Sequence, residues 1–531
     1  MYNQSTDHRN RLLRRADWRF LLGNPWPEKS KCFSGGFLAQ AVQAVSSINI
    51  PADKDSPGEC DLVVATNPDS ATLQLAWQSL HSGGNFYSEW FSPLTGGSLG
   101  ICKRLEAAGF TDVVCYWSWP IPNLYSALFW LPLEAPQAVS YFLSSRPRST
   151  DALVRFRNDV LKILWKFFRK TRLLVPICVT ARKVDSTLSS TYPTDPDEKI
   201  INQTGDCKYG VNSNKFDTIM WTGGKSPINK VILYQFSRGE EIPRQIVKLP
   251  RTPEAVPALT HEGNILQALR TMKSKAAAHA PKVLFFHKAN GMVALGETTV
   301  FGQPLHTVLE PQNALELAMK VTDWLVYLVN DEALRPRTTW WDRLVEPALH
   351  DFEYNFKSVL DGAELNNCRA ILNRLDDLPS TFEHRDCSPW NLMVTQSGEL
   401  AVLDWESAEQ NGLPAMDLAY FLAYLVFFID GAMKDGNFIQ SYRRARDPKT
   451  STGRLQAACQ QRYIECTGLD PAVLHPLRLL TWLIHTRSEV HHLPADAEGA
   501  VRPADLRGSL FYRLVLEELA QESVSAQASI H

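Results

Sequence analysis

The stretch His384-Arg385-Asp386-Cys387-Ser388-Pro389-Trp390-Asn391 puts a carboxylate and a carboxamide toward opposite ends of one short loop. A strand-like run, Leu400 to Leu403, then ends on Asp404-Trp405-Glu406. Moving a phosphoryl group off a nucleotide asks a protein for little covalent chemistry. It asks for a carboxylate near the attacking hydroxyl and for oxygen ligands to a divalent ion that neutralises phosphate charge. Asp386 suits the first task, and Asn391 with Asp404 suits the second. The gap between Asn391 and Asp404 fits a hairpin of Leu392–Val394 with Leu400–Leu403 around Ser397-Gly398, which would return Asp404 to the side of Asn391.

ATP and Mg²⁺ are the cofactors such a set requires, and the upstream sequence holds parts that could seat the nucleotide. Gln245-Ile-Val-Lys248-Leu249 reads as a strand with one lysine among apolar residues, suited to reaching the α- and β-phosphates. Glu262 opens a helical pattern through Leu269 and could pair with Lys248. Gly223, Gly224 and Ser226 lie in a turn ahead of a strand, where backbone N–H groups can face phosphate. A P-loop is excluded, because the position that must be glycine is Ile219. Leu295-Gly296-Glu297-Thr298-Thr299 reads as a hinge that holds adenine through its backbone, with Glu297 and Thr299 as the contacts.

These residues need elements to carry them. Residues 207–300 are rich in short strands: Ile228 to Phe236, Gln245 to Leu249, Val283 to His287 and Met292 to Leu295. Residues 301–531 are dominated by helical periodicity. There Asn313 is expected to cap a helix with Glu316 as its capping-box partner, and Leu317, Val321, Trp324, Leu325 and Leu328 share its apolar face. Ahead of both, residues 1–149 alternate strand and helix, as α/β layers do. Asp61–Ala65, Phe86–Phe91 and Asp112–Trp117 read as strands, Leu73–Leu80 and Leu99–Ala108 as helices, and Ser82-Gly83-Gly84-Asn85 as a turn. Residues 150–206 read as a connector: a basic amphipathic helix over Leu153–Leu174, then a polar linker over Ser186–Asp197. The helix either docks with its cations in water or meets an anionic membrane surface through Trp165, Phe167 and Phe168. His491-His492 lacks a third ligand at a defined spacing, so no metal site is expected there.

Composition narrows the classes. The 531 residues carry 55 Lys+Arg against 57 Asp+Glu, a net charge of -2 with no global footprint for nucleic acid. Hydrophobic residues at 44% rule out wholesale disorder. The best apolar run, Leu418–Ile429, is too short to cross a bilayer. Ten cysteines without a C-x-x-C pair, and a polar run after Met1, fit a reduced, cytoplasmic chain. Contact with the cytoplasmic face of a membrane through 153–174 is the one localisation added to that.

The HRDCSPWN run at 384–391, LDWE at 403–406 and GLPAMDLA at 412–419 resemble the aminoglycoside phosphotransferase/choline kinase superfamily, over about Tyr209 to Glu518. The resemblance implies an α+β two-lobed protein-kinase-like domain that phosphorylates a hydroxyl of an amino sugar, sugar or amino alcohol. It implies Asp386 as catalytic base, Asn391 and Asp404 as Mg²⁺ ligands, Lys248 and Glu262 as the phosphate-orienting pair, and Asp417 as a brace under the loop. The absence of an A-P-E segment sets it apart from protein kinases. The front region resembles the later half of a class I S-adenosylmethionine-dependent methyltransferase, which implies a Rossmann-like α/β domain. Its glycine turn is reduced to Ser34-Gly35-Gly36, and Asn67-Pro68-Asp69 keeps only part of an N-P-P-aromatic motif. Two other functions stay open: a kinase-like module that binds nucleotide without turnover, and a methyltransferase with an accessory kinase-like domain.

Overall fold

The computed structural model describes residues 2–92, 96–121, 127–145, 152–171, 176–184, 216–223, 229–272, 275–289, 291–494 and 500–528. The expected linker at 186–197 lies outside these residues. Two compact units emerge. One comprises residues 4–260 and 283–299, the other residues 1–3, 261–282 and 300–531.

The first unit is built on one twelve-stranded sheet. Its strands in chain order are β1 (Lys29–Cys32), β2 (Ile48–Ile50), β3 (Cys60–Thr66), β4 (Leu80–Trp90), β5 (Thr111–Trp119), β6 (Phe129–Pro132), β7 (Ile177–Arg182), β8 (Phe216–Thr222), β9 (Lys230–Ser237), β10 (Gln245–Pro250), β11 (Val283–Ala289) and β12 (Met292–Thr298). Across the sheet they run β11-β12-β10-β9-β8-β6-β5-β7-β4-β3-β1-β2. The β2-β1-β3-β4 end is parallel, and every other pairing is antiparallel. Alternate side chains of β3 feed opposite faces, as a strand buried on both sides requires. Leu62 and Val64 join Leu38, Ala41 and Val42 of helix Gly36–Val45, whereas Val63 and Ala65 join Leu73, Ala76 and Ile101.

Three sequence expectations change here. Residues 82–85 are no turn: β4 runs through them, and its register against β3 shifts between Cys60 and Leu62. Gly83 has φ +86°, and a Cβ on Gly84 would meet Leu80 and the Cys60 carbonyl, so these glycines serve a bulge and a close approach. The stretch read as connector supplies β7, which lies between β4 and β5 and is antiparallel to both. Its signal, Ile177-Cys-Val-Thr-Ala, is a short apolar run whose partners stand far away in sequence. β8 was also unforeseen. It pairs with β6, so the strands read as a front region and those read as a small lobe form one sheet.

The helical unit centres on Met416–Ile429, whose side chains from Met416 to Phe427 are buried except Ala419. That all-round burial explains the apolar run at Leu418–Ile429. Among the described residues no helix is long and apolar enough to cross a membrane. Helix Leu474–Val490 packs against Met416–Ile429, Glu346–Phe356 and Leu510–Ala528. Helix Ala314–Val326 begins where expected, with Leu317, Val321, Trp324 and Leu325 buried. The capping box does not form, because Asn313 accepts from Glu310 N–H and donates to the Val308 carbonyl, and Glu316 pairs with Lys320. The helix expected to open at Glu262 opens at Val256, since Pro257 is tolerated in a first turn that needs no N–H partner.

Candidate active site

The loop after strand Leu378–Glu383 is held from below by one carboxylate. Asp417, in the first turn of helix Met416–Ile429, accepts the N–H groups of His384 at 2.6 Å and Arg385 at 2.8 Å. Gly412 lets the preceding segment approach: a side chain there would strike Glu383, whose carboxylate takes the Leu413 N–H and the Arg385 guanidinium. His384 is fully buried. Its Nδ1 accepts from Asp386 N–H at 3.3 Å, so Nε2 carries the proton and donates to the Leu403 carbonyl at 2.9 Å. Burial lowers its pKa to about 4, which keeps the ring neutral. One imidazole thus ties the loop to the residue before Asp404.

The hairpin closes as the spacing required. Leu392–Val394 pairs with Leu400–Val402, Gly398 turns with φ +78°, and Leu403 N–H reaches the Asn391 carbonyl at 2.9 Å. Asn391 donates from Nδ2 to the Asp386 carboxylate at 2.8 Å and to the Asp386 carbonyl at 3.0 Å. Burial, and then the charge of Asp404, push the Asp386 carboxyl up to about 7. Asp386, Asn391 and Asp404 are therefore brought together. Arg385 (φ +63°), Asp404 (φ +64°) and Ala415 (φ +60°) all adopt the left-handed backbone region, a concentration of strain found where side-chain placement is over-determined.

Sequence reading missed Tyr420, whose hydroxyl donates to the other Asp386 oxygen at 3.4 Å. Its ring lies 4.3 Å from that of His485, stacked, and next to Tyr424. Asp417 and Tyr420 are three apart on one helix and so share a face. That spacing was the available signal. Burial lowers the His485 pKa to about 3, so this neighbour of Tyr420 is neutral.

The remaining candidates fall largely in the sheet unit. Lys248 of β10 ion-pairs with Glu297 of β12 at 2.9 Å, both nearly buried. The register sets Lys248 opposite Leu295 and Ile246 opposite Glu297, so the two are diagonal neighbours on one face. Glu297 was expected to serve a hinge through its backbone; instead its main chain belongs to a strand flanked on both sides, and its carboxylate sits on Lys248. Glu262 is fully buried on helix Val256–Thr271. Thr299 donates to the Pro243 carbonyl at 2.8 Å. The Gly223 carbonyl accepts from Arg251 at 3.1 Å, and Arg251 is itself buried beside Asp17 at 3.4 Å. Gly224 and Ser226 lie outside the described residues.

The front end of the sheet holds the second group of candidate residues. Ser34-Gly35-Gly36 does follow β1 and open helix Gly36–Val45, with Gly36 at φ +67°. Beside it Arg15 makes a two-pronged pair with Glu89 at 2.7 and 2.6 Å, and Tyr87 donates to Glu89 at 2.9 Å. Trp18 stacks on Tyr87 at 3.9 Å between ring centres. Asn67 has its N–H on the Glu89 carbonyl and its Oδ1 on Phe91 N–H, so it braces backbone.

Residues 234–456 match the model of the phosphotransferase enzyme family. No curated protein matches the chain. Among solved structures it is similar to a thermostable mutant of aminoglycoside phosphotransferase APH(4)-Ia in ternary complex with ADP and hygromycin B. That match has 15% identity, covers 62% of this chain and 98% of that one, and has a TM-score of 0.38. APH(3'')-Id of Streptomyces rimosus matches at 14% identity over 50% of this chain and 92% of its own, with a TM-score of 0.32. An aminoglycoside phosphotransferase of Alicyclobacillus acidocaldarius matches at 15% identity over 65% and 99%, also with a TM-score of 0.32.

Proposed function

We propose that this chain is a phosphotransferase that moves the γ-phosphate of ATP, with Mg²⁺, to a hydroxyl of a small molecule such as an amino sugar, sugar or amino alcohol. The family match over 234–456 supports the reaction class. The observation that carries the reading is the state of Asp386: a half-buried carboxyl, oriented by neutral donors from Asn391 and Tyr420, with Asp404 near enough to raise its pKa.

That arrangement suits a hard divalent ion. Two carboxylates crowded at low solvent exposure repel each other, and a cation relieves the repulsion. With its amide nitrogen committed to Asp386, Asn391 offers its carbonyl oxygen. Among the described residues no three His, Cys, Asp or Glu side chains form a metal site, so Asp404 and Asn391 would hold the ion together with the nucleotide's phosphates. When bound, Mg²⁺ supplies charge neutralisation on the transferring group.

The chain's own work is then positional. Asn391 and Tyr420 fix both oxygens of Asp386, which aligns the acceptor hydroxyl and accepts its proton. Neutral His384 keeps the loop in register with Asp404. Lys248, oriented by Glu297, is the candidate cation for the α- and β-phosphates. The test is ATP turnover by purified protein over a panel of amino sugars, sugars and amino alcohols, with label followed into the acceptor. Binding of Mg·ATP without transfer to any acceptor would favour a nucleotide-binding module instead.

The methyltransferase reading draws support from the parallel β2-β1-β3-β4 order and the glycine turn after β1. Against it stand Arg15, Trp18, Tyr87 and Glu89, buried beside that turn where a cofactor would need room. Titration calorimetry with S-adenosylmethionine decides: no heat of binding retires the reading.

A further inference from the structure

Helix Ala152–Thr171 has two apolar faces, one buried and one largely exposed. Leu161 and Trp165 are buried, with Trp165 stacked 6.2 Å from Trp117 and donating to Ser140 Oγ at 3.3 Å. This corrects the expectation that Trp165 meets a membrane, since the core holds it. On the other side Phe156, Ile163 and Phe167 are 69%, 65% and 60% exposed. At about 100° per residue these three fall within an arc of roughly 40°, a straight ridge about 16 Å long. Trp165 lies opposite that ridge, so the fold clamps the helix with the ridge outward.

The charge around the ridge is one-sided. The helix sequence carries Arg155, Arg157, Lys162, Lys166, Arg169 and Lys170 against the single acid Asp159, within a chain whose net charge is -2. Among the described side chains, Lys166 is exposed and Lys162 half-exposed. Both fall on one flank of the ridge by the same helical geometry, with exposed Asp159 between them and the ridge. We infer that this face is a docking surface for an anionic lipid bilayer, with Phe156, Ile163 and Phe167 entering the boundary between headgroups and acyl chains. The ammonium groups of Lys162 and Lys166 stay among the lipid phosphates, where long stems let charges sit above a buried ridge. A bilayer suits this face better than an acidic protein groove, because a straight ridge flanked by cations on a clamped helix presents itself edge-on to a plane. The inference is independent of the phosphotransferase reading, so each stands or falls alone.

The test is co-sedimentation of the full chain with vesicles of phosphatidylcholine, with and without 30% phosphatidylserine. Partitioning should rise at least tenfold with phosphatidylserine and fall again as NaCl is raised from about 0.05 to 0.5 M. Phe156→Asp with Phe167→Asp should abolish it, Lys162→Glu with Lys166→Glu should cut it about tenfold or more, and Asp159→Lys should strengthen it. Unchanged thermal unfolding of each variant shows that the core face of the helix is intact. Wild-type partitioning that ignores phosphatidylserine and salt overturns the inference, a result that needs no variant to fold. Preferential binding to soluble poly-glutamate over vesicles also overturns it, in favour of an acidic protein partner.

Discussion

Asp386, half-buried, and Glu89, fully buried, are carboxylates near a loop that could serve a phosphate or cofactor, yet their surroundings are opposite. Glu89 meets the Arg15 guanidinium through both oxygens and adds the Tyr87 hydroxyl. Asp386 is met by an amide and a phenol, and the charge that most affects it is another carboxylate. A buried charge that a fold keeps for architecture is paired, because an unpaired one costs too much. A buried acid set beside a like charge is held at a cost to stability, and such sites are where function concentrates. The difference teaches that Glu89 serves a structural joint, whereas Asp386 is held by neutral donors beside a like charge.

The largest test of that contrast is removal of each acid's role. Asp386→Ala should lower the rate of phosphoryl transfer by about 10²–10⁴-fold, the usual contribution of a general base, with no loss of thermal stability. Normal turnover by this variant would refute the assignment. The converse holds for the front joint. Arg15→Met leaves Glu89 buried without its partner and should remove about 3–5 kcal/mol of stability, read from the urea midpoint. An unchanged midpoint would mean that the pair does not hold this part of the fold together.

A pH series sharpens the comparison. Asp386 and Asp417 are both pushed up to about 7, chiefly by burial. The folded chain then keeps protons that the unfolded chain has released, so their contribution to stability is full below the ordinary carboxyl range and is lost as pH rises through 7. His384, lowered to about 4, works the other way: its contribution is present above 6.5 and is lost as pH falls through 4. Between pH 6.5 and 8 the slope therefore belongs to the acids, and Asp386→Asn should flatten the fall of Tm across that window. A slope equal to wild type would place the titration elsewhere. The smallest effect is expected of Tyr420→Phe. Losing one hydrogen bond to the carboxylate, worth about 1 kcal/mol, should slow turnover about fivefold and move the acid limb of the kcat/KM profile to higher pH. A shift to lower pH would show that Tyr420 does not stabilise the charged form.

Much of the transfer loop was legible because its parts are close in sequence. Asp386, Asn391 and Asp404 are joined by one loop and one hairpin, and a turn glycine at 398 with short apolar flanks leaves few other ways to close. Asp417 was legible too, through the resemblance carried by GLPAMDLA at 412–419. The same locality explains the strands β9, β10, β11 and β12, whose patterns were read nearly to their ends. The turn at 82–85 was misread because glycines that open space for Leu80 and the Cys60 carbonyl look the same in sequence as glycines that turn a chain.

By itself the sequence determined which groups could do chemistry and which short segments would carry them, since turn residues, periodicity and loop spacing act over a few residues. Tertiary packing alone decided that Glu297 would sit on Lys248, that Tyr420 would reach Asp386, and that Ile177–Arg182 would enter the middle of a sheet. It also decided that Arg15, 74 residues before Glu89, would be its partner. The reason is physical: a buried charge takes whichever partner the surrounding core brings within reach, and that core is assembled from segments with no memory of their distance along the chain.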